Sequence, residues 1–231
     1  MAPAPYLVAM CDVLGFTNLV ASATLEEIRR RYLALVAHLG PHPLFRIRTD
    51  RHEREVVLNR VVFSDTVLFW APDGDAIELL PHVVAQILGR AMGSMPLRVG
   101  FAFGDCIIDP PNELYIGQPI IDAYRTEQAQ DWVGGAFHPS CWLRPGLRDL
   151  LCRGHAGSAV EYPVPVKAGA PAGGVRLDHA LNWPALVGPD FSVEALTALE
   201  AGAAAPARAK WRNARRFYDA VLAHRDEASR P

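Results

Sequence analysis

Two short segments carry residues whose types and spacing could do chemistry. Cys11-Asp12-Val13-Leu14-Gly15-Phe16-Thr17 sets a carboxylate at the end of the apolar run Tyr6–Met10, followed by a Gly, an aromatic residue and a helix-capping Thr. Phe63-Ser64-Asp65-Thr66 sets a second carboxylate in a tight turn between the apolar runs Val56–Phe63 and Val67–Trp70. An Asp between strand and helix is often only a cap or a turn former, and turns attract Asp. Two acids at adjacent strand ends beside a helix start are a different matter. They can share divalent cations with the roughly four negative charges of a triphosphate. The amides of the Leu14–Thr17 turn and helix start would face its β- and γ-phosphates.

The elements that must position these acids are legible in the periodicity. A buried strand is expected over Tyr6–Asp12. A helix follows from near Phe16, and Thr24 caps a second over Leu25–Leu39. In the latter, Leu25, Ile28, Tyr32, Leu35, Val36 and Leu39 recur at three and four residues. After Gly40-Pro41-His42-Pro43 and the charged stretch Arg46–Arg54, a hairpin is expected from Glu55–Phe63 and Thr66–Trp70, with Asp65 at its tip. Then come helix Ala76–Met92, strand Leu97–Phe103, breaks at Gly104-Asp105 and Asp109–Asn112, strand Leu114–Ile116 and helix Ile120–Gln130 after Pro119. The order β-α-β-β-α-β is that of an α+β, ferredoxin-like fold: an antiparallel sheet with helices on one face. Its first and third strands are antiparallel neighbours, which would bring Asp12 and Asp65 together. Lys167–Gly174 reads as a loop, Ala201–Ala207 as a low-complexity linker and Ala209–His224 as an amphipathic helix. We therefore expect a core over residues 1–180 and a helical extension over 181–231 packed on it.

Bulk composition excludes several classes. Half of the 231 residues are apolar, so a packed core is expected. A formal net charge of −2 gives no pull toward nucleic acid or an anionic membrane. The basic helix with Arg208, Lys210, Arg212, Arg215 and Arg216 also carries periodic Trp211, Phe217 and Leu222, a packing pattern with a solvated face. Cys11, Cys106, Cys141 and Cys152 lie far apart without a C-x-x-C pair, which fits a reducing cytosol. No signal-peptide pattern opens the sequence, and no segment approaches the roughly 20 apolar residues of a membrane span. A cytoplasmic protein is expected.

The D-x-x-G-F-T pattern at Asp12–Thr17 resembles the first metal motif of class III nucleotidyl cyclases. That family carries G-x-x-V-N-x-A-x-R where this chain has Gly117–Arg125; Gly117, Ala123 and Arg125 match, whereas Ile121 stands at the Asn position with Asp122 beside it. The Lys and Asp with which adenylate cyclases read adenine are replaced by Val61 and Leu114, which cannot hydrogen-bond a purine edge through their side chains. Together with D-V-L-G-F, F-S-D-T, Gln130–Gly134 (Q-x-W-x-G), Leu181–Pro184 (L-N-W-P) and Trp211–Tyr218 (W-x-N-x-x-x-F-Y), the chain resembles, over nearly its whole length, the bacterial Pycsar-type pyrimidine cyclases.

The resemblance implies cyclisation of a pyrimidine nucleoside triphosphate (UTP favoured, CTP next) to its 3′,5′-cyclic monophosphate and pyrophosphate, as an antiphage messenger for a separate effector. It implies two Mn²⁺ or Mg²⁺ ions held by Asp12, Asp65 and the Val13 carbonyl, and phosphate contacts at Leu14, Gly15, Phe16 and Thr17. It gives Arg125 the transition-state charge, supplied across a head-to-tail homodimer. Arg98, on the Leu97–Phe103 strand, is either a structural ion-pair residue or a contact to base or phosphate. Two alternatives stand beside this reading: a catalytically inactive nucleotide-binding regulatory module and a purine nucleotide cyclase.

Overall fold

The structure is a computed structural model that describes residues 2–39, 44–48, 53–74, 77–153, 157–169, 176–187 and 191–228. Strand β1 (Ala4–Val13) runs through the middle of an eight-stranded sheet. It is antiparallel to β5 (Thr66–Pro72) on one side and to β6 (Leu97–Asp109) on the other. Strand β4 (Asn59–Phe63) closes the hairpin with β5. The order β4-β5-β1-β6, with helices between β1 and β4 and between β5 and β6, is the expected α+β, ferredoxin-like core.

Those helices are α1 (Phe16–Ser22), α2 (Leu25–Leu39) and α3 (Leu79–Ala91). Thr24 does cap α2, its hydroxyl accepting from the Glu27 amide at 3.2 Å. Helix α3 starts later than its pattern suggested because Pro81 lacks an amide proton and is tolerated only in the first turn. Odd-numbered residues of β1 (Leu7, Ala9, Cys11, Val13) join Val67, Phe69, Val99 and Phe101 beneath Leu80, Val83, Val84, Ile87 and Leu88 of α3. The even-numbered ones, Val8 and Met10, pack on the opposite face with Leu68, Trp70, Ala102 and Ala123.

Ala123 belongs to α4 (Gln118–Ala129), so that helix covers the other face of the sheet, and the expectation of helices on one face holds only for the pair within the core motif. Three further expectations are corrected. The long strand Glu55–Phe63 is broken at Leu58, whose side chain is buried; β3 (Glu53–Val57) pairs instead with β2 (Leu44–Arg48) in a separate two-stranded sheet. Strand β6 runs on through Gly104-Asp105, because Tyr6, Pro5 and Ala4 keep pairing with it and β7 (Leu114–Gly117) folds back onto its end. The linker Ala201–Ala207 shrinks to Ala203-Ala204 between α7 (Val193–Gly202) and α8 (Ala205–Ala228), as the helix propensity of Ala favours.

The chain beyond α4 adds β8 (Gly134–Phe137), parallel to β6, then α5 (Leu147–Arg153), β9 (Ala159–Glu161), β10 (His179–Leu181) and the short α6 (Trp183–Leu186). Trp211, Ala214, Phe217, Tyr218 and Val221 of α8 sink into the same core as α3 and the sheet. Arg212 and Arg215 pair with Glu200 at 3.0 and 2.9 Å, and Lys210 with Asp131 at 2.5 Å. The basic side of α8 is thus partly spent on internal ion pairs. Among the described residues no helix is long and apolar enough to cross a membrane.

Candidate active site

Asp12 sits one residue before the end of β1, opposite Thr66 of β5 and opposite Arg98 of β6. The β4–β5 link is two residues, Ser64 and Asp65, between the paired Phe63 and Thr66. Ser64 takes φ +54°, a conformation uncommon for a residue with a Cβ and one that recurs at functional turns. The Val13 amide donates to the Asp65 carbonyl at 3.1 Å, so β1 and the hairpin tip are tied where the two acids emerge. The sequence expectation that Asp12 and Asp65 converge is met by the backbone itself.

Burial dominates the chemistry of Asp12 and pushes its carboxyl up to about 6; the nearby Arg98 and Lys167 oppose the shift, and the charge of Asp65 adds to it. The two acids therefore feel one another. Their oxygens suit a hard divalent cation, and the neighbouring Cys11 thiol is turned into the core on the other face. Among the described residues no group of three or more His, Cys, Asp or Glu side chains gathers to hold an ion. An ion at Asp12 and Asp65 would need further oxygens from a phosphate chain or water, the usual habit of Mg²⁺.

Immediately after, Gly15 turns the chain into α1 at φ +76°. The Leu14 amide is already bonded to the Pro96 carbonyl at 2.8 Å, which corrects the expectation that it faces a phosphate. The amides of Gly15, Phe16 and Thr17 carry that expectation alone. The first helical amides have no carbonyl a turn below them to bond.

Of the two readings open for Arg98, the structure shows the ion-pair one, not the base or phosphate contact. Arg98 is 4 % exposed, on a strand flanked by Leu97 and Val99, and its guanidinium is engaged from three sides. Nε and Nη2 bond the Glu127 carboxylate, Nη1 donates to the Gln130 carbonyl at 3.2 Å, and Nη2 lies 3.5 Å from Asp12 Oδ2. It is an interior ion-pair residue beneath Asp12. Arg125 lies on α4 with its side chain exposed, alongside the exposed Ile121 and Tyr124. The structure does not bring Arg125 to Asp12 of its own chain; the cations acting on Asp12 are Arg98 and Lys167.

At the ribose position, Ile121 faces outward with Arg125. Asp122 turns elsewhere, accepting from Gln118 Nε2 at 2.8 Å and lying 3.9 Å from His138 Nδ1. Val61 packs at the edge of the second core cluster with Tyr115, and Leu114 is partly exposed at the far end of the β6–β7 pair.

Two residues of this neighbourhood escaped the sequence reading. Glu127 is 1 % exposed; the signal for it was a carboxylate beside the small residues Ala123, Thr126 and Ala129 that α4 buries. Lys167 opens what read as a plain loop, yet its Nζ donates to the Gln128 carbonyl at 2.6 Å and its charge reaches Asp12. Only the tertiary pairing of Val166 with Gln130 puts it there.

No family model matches the chain, and no curated protein matches its sequence. Its fold is similar to that of several solved structures. The catalytic core of a rhodopsin–guanylyl cyclase with converted specificity, in complex with ATPαS, shares 12 % identity at a TM-score of 0.49 over 78 % of this chain and 95 % of that one. The guanylyl cyclase domain of the RhoGC fusion protein from the aquatic fungus Blastocladiella emersonii shares 11 % identity at 0.48, with coverage of 78 % and 95 %. A bacterial light-regulated adenylyl cyclase shares 9 % at 0.47, with 79 % and 92 %.

Proposed function

We propose that this chain is a nucleotidyl cyclase of class III type that acts on a pyrimidine nucleoside triphosphate, UTP first and CTP next. The observation that carries the reading is the convergence of Asp12 and Asp65 from different strands, tied by the Val13–Asp65 bond, beside the turn into α1. The motif resemblance along the chain supports the pyrimidine branch of the family, as do Val61 and Leu114, whose side chains offer a purine edge no hydrogen bond.

In this reading the ribose 3′-oxygen bonds to the α-phosphorus as the bond to the β-phosphate bridging oxygen breaks. Pyrophosphate leaves and the hydroxyl proton passes to solvent. Asp12, Asp65 and the Val13 carbonyl hold the metal. When bound, two Mn²⁺ or Mg²⁺ ions supply neutralisation of the triphosphate and acidification of the 3′-hydroxyl. The amides of Gly15, Phe16 and Thr17 receive the β- and γ-phosphates. Arg125 stabilises charge on the α-phosphate of the site in a second copy of the chain, since its own Asp12 lies on the sheet side of α4 and Arg125 on the solvent side. The product serves as a cytoplasmic messenger read by a separate effector in antiphage defence.

One observation favours a second reading. Ile121 cannot orient a ribose, and Asp122 is engaged by Gln118, as suits a module that binds nucleotide without turning it over. Incubating the protein with each of the four NTPs and Mn²⁺, then identifying products by mass spectrometry, separates these. Cyclic UMP or CMP with pyrophosphate is the expected result. Fastest turnover of ATP or GTP would refute the pyrimidine assignment. Tight NTP binding with no cyclic product would leave the regulatory module.

A further inference from the structure

The pairing of Arg98 does more than fill the interior. Asp12 and Arg98 are directly opposed across β1 and β6, so their side chains share a face. Glu127 comes down on the same face from α4, because Gly100 lets the helix approach: a Cβ there would stand 2.1 Å from the Ala123 carbonyl oxygen and 2.6 Å from the Glu127 amide. Glu127 grips Arg98 through Nε and Nη2, and its other oxygen accepts from Gln128 Nε2 at 2.7 Å. The far end of the guanidinium is fixed by the Gln130 carbonyl. Gln130 is itself locked: its Nε2 donates to the Val99 and Thr126 carbonyls at 2.8 and 2.9 Å, and its Oε1 accepts from Trp132 Nε1 at 2.7 Å.

A rigid guanidinium with one edge saturated by a buried carboxylate presents only Nη2 to Asp12, at 3.5 Å. That distance is an ion-pair contact rather than a short charge-assisted hydrogen bond. Asp12 is oriented by it without being captured. We propose that Glu127 is a positioning residue for the metal site: by holding Arg98 it fixes the Asp12 carboxylate at the end of β1 and keeps the guanidinium from closing on it. Glu127→Gln removes the carboxylate that retains Arg98, so the guanidinium turns to Asp12 and competes with a cation for its oxygens. Partners of this kind behind a metal ligand commonly change affinity by about 10–100-fold.

The inference rests on Asp12 being a metal ligand, as in the cyclase reading, but its test needs no turnover. Mn²⁺ alone is titrated into the parent and Glu127→Gln proteins, well below their melting temperatures, with free ion followed by electron paramagnetic resonance. The Asp12→Asn protein identifies the relevant sites. Glu127→Gln is expected to bind Mn²⁺ at least about tenfold more weakly than the parent while remaining folded by circular dichroism. Folded Glu127→Gln with parental Mn²⁺ affinity would overturn the proposal and leave Glu127 a purely structural partner of Arg98. So would a parent protein whose Mn²⁺ binding Asp12→Asn does not alter. Should Glu127→Gln not fold, Arg98→Lys retains a cation for Glu127 but cannot span both carboxylates. It is expected to show the same loss, and unchanged Mn²⁺ binding there would equally refute the idea. If instead no NTP is cyclised, the functional reading fails and the Mn²⁺ comparison still decides this one.

Discussion

The two sides of α4 make opposite use of neighbouring residues. Toward the sheet, Ala123, Thr126 and Glu127 are buried, and Glu127 engages Arg98 under Asp12. Toward solvent, Ile121, Tyr124 and Arg125 are exposed. Arg125 and Glu127 are two residues apart, about 200° around a helix, so one cannot follow the other to the same place. The inner side holds Arg98 beside Asp12 of its own chain; the outer side leaves an apolar pair and an arginine facing solvent. On this account its partner is the metal site of a second copy, and the same helix serves two sites at once.

The largest effect expected is on turnover. On the proposed reading, Asp12→Asn or Asp65→Asn is expected to lower NTP cyclisation at saturating Mn²⁺ by at least about 10²–10³-fold, the scale of removing a preorganised electrostatic group. Activity of either variant near the parental value would remove the acids from the mechanism.

Next comes the inner side. Gly100→Ala drives a Cβ into the α4 backbone, for a loss of about 1–3 kcal/mol seen by thermal or urea unfolding. Parental stability would mean that α4 does not sit so close to β6.

A smaller effect concerns pH. The Asp12 carboxyl titrates near 6 in the fold against an ordinary value of 3.8, so between those values the folded chain holds a proton that the unfolded chain has released. Stability therefore falls as pH rises through that window, and the cost is complete above it. Asp12→Asn removes the cost. It is expected to melt higher than the parent at pH 7.5, with the gap narrowing toward pH 4; a gap that widens on acidification would contradict the burial of Asp12.

The smallest effect is on the outer side. Tyr124→Ala and Ile121→Asn are expected to change unfolding of the single chain by less than about 0.5 kcal/mol while weakening self-association in sedimentation velocity. A loss of stability like that of Gly100→Ala would mean the outer side is packed within its own chain.

What was legible in the sequence follows from how local each signal is. Asp12 and Asp65 were found because each ends an apolar run, and the β-α-β-β-α-β order then dictated their meeting. Helix α2 was found to its boundaries from the spacing of Leu25, Ile28, Tyr32 and Leu35 and the Thr24 cap. An ion pair at Arg98 was one of two readings, but its partner was not legible, since Glu127 arrives from a different element through a close approach at Gly100. Lys167 depended on a loop crossing back to Gln130. Several motif residues turned out to build the interior: the rings of Trp132 and Phe217 lie 5.0 Å apart with Tyr162 against both, and Trp183 packs on Phe217 and Tyr218. Resemblance in sequence order could not say which motifs do chemistry and which fill the core.

The contrast between the sides of α4 is tested most directly by complementation. Asp12→Asn and Arg125→Ala proteins are each expected to be nearly inactive. After mixing in equal amounts with subunit exchange verified, about half of the dimers are mixed. In these, one site carries both lesions and the other neither, so activity should return to about a quarter of the parental value. No recovery despite verified exchange would place Arg125 and Asp12 in the same subunit's site or leave Arg125 without a catalytic part, and the account of a helix shared between two sites would be wrong.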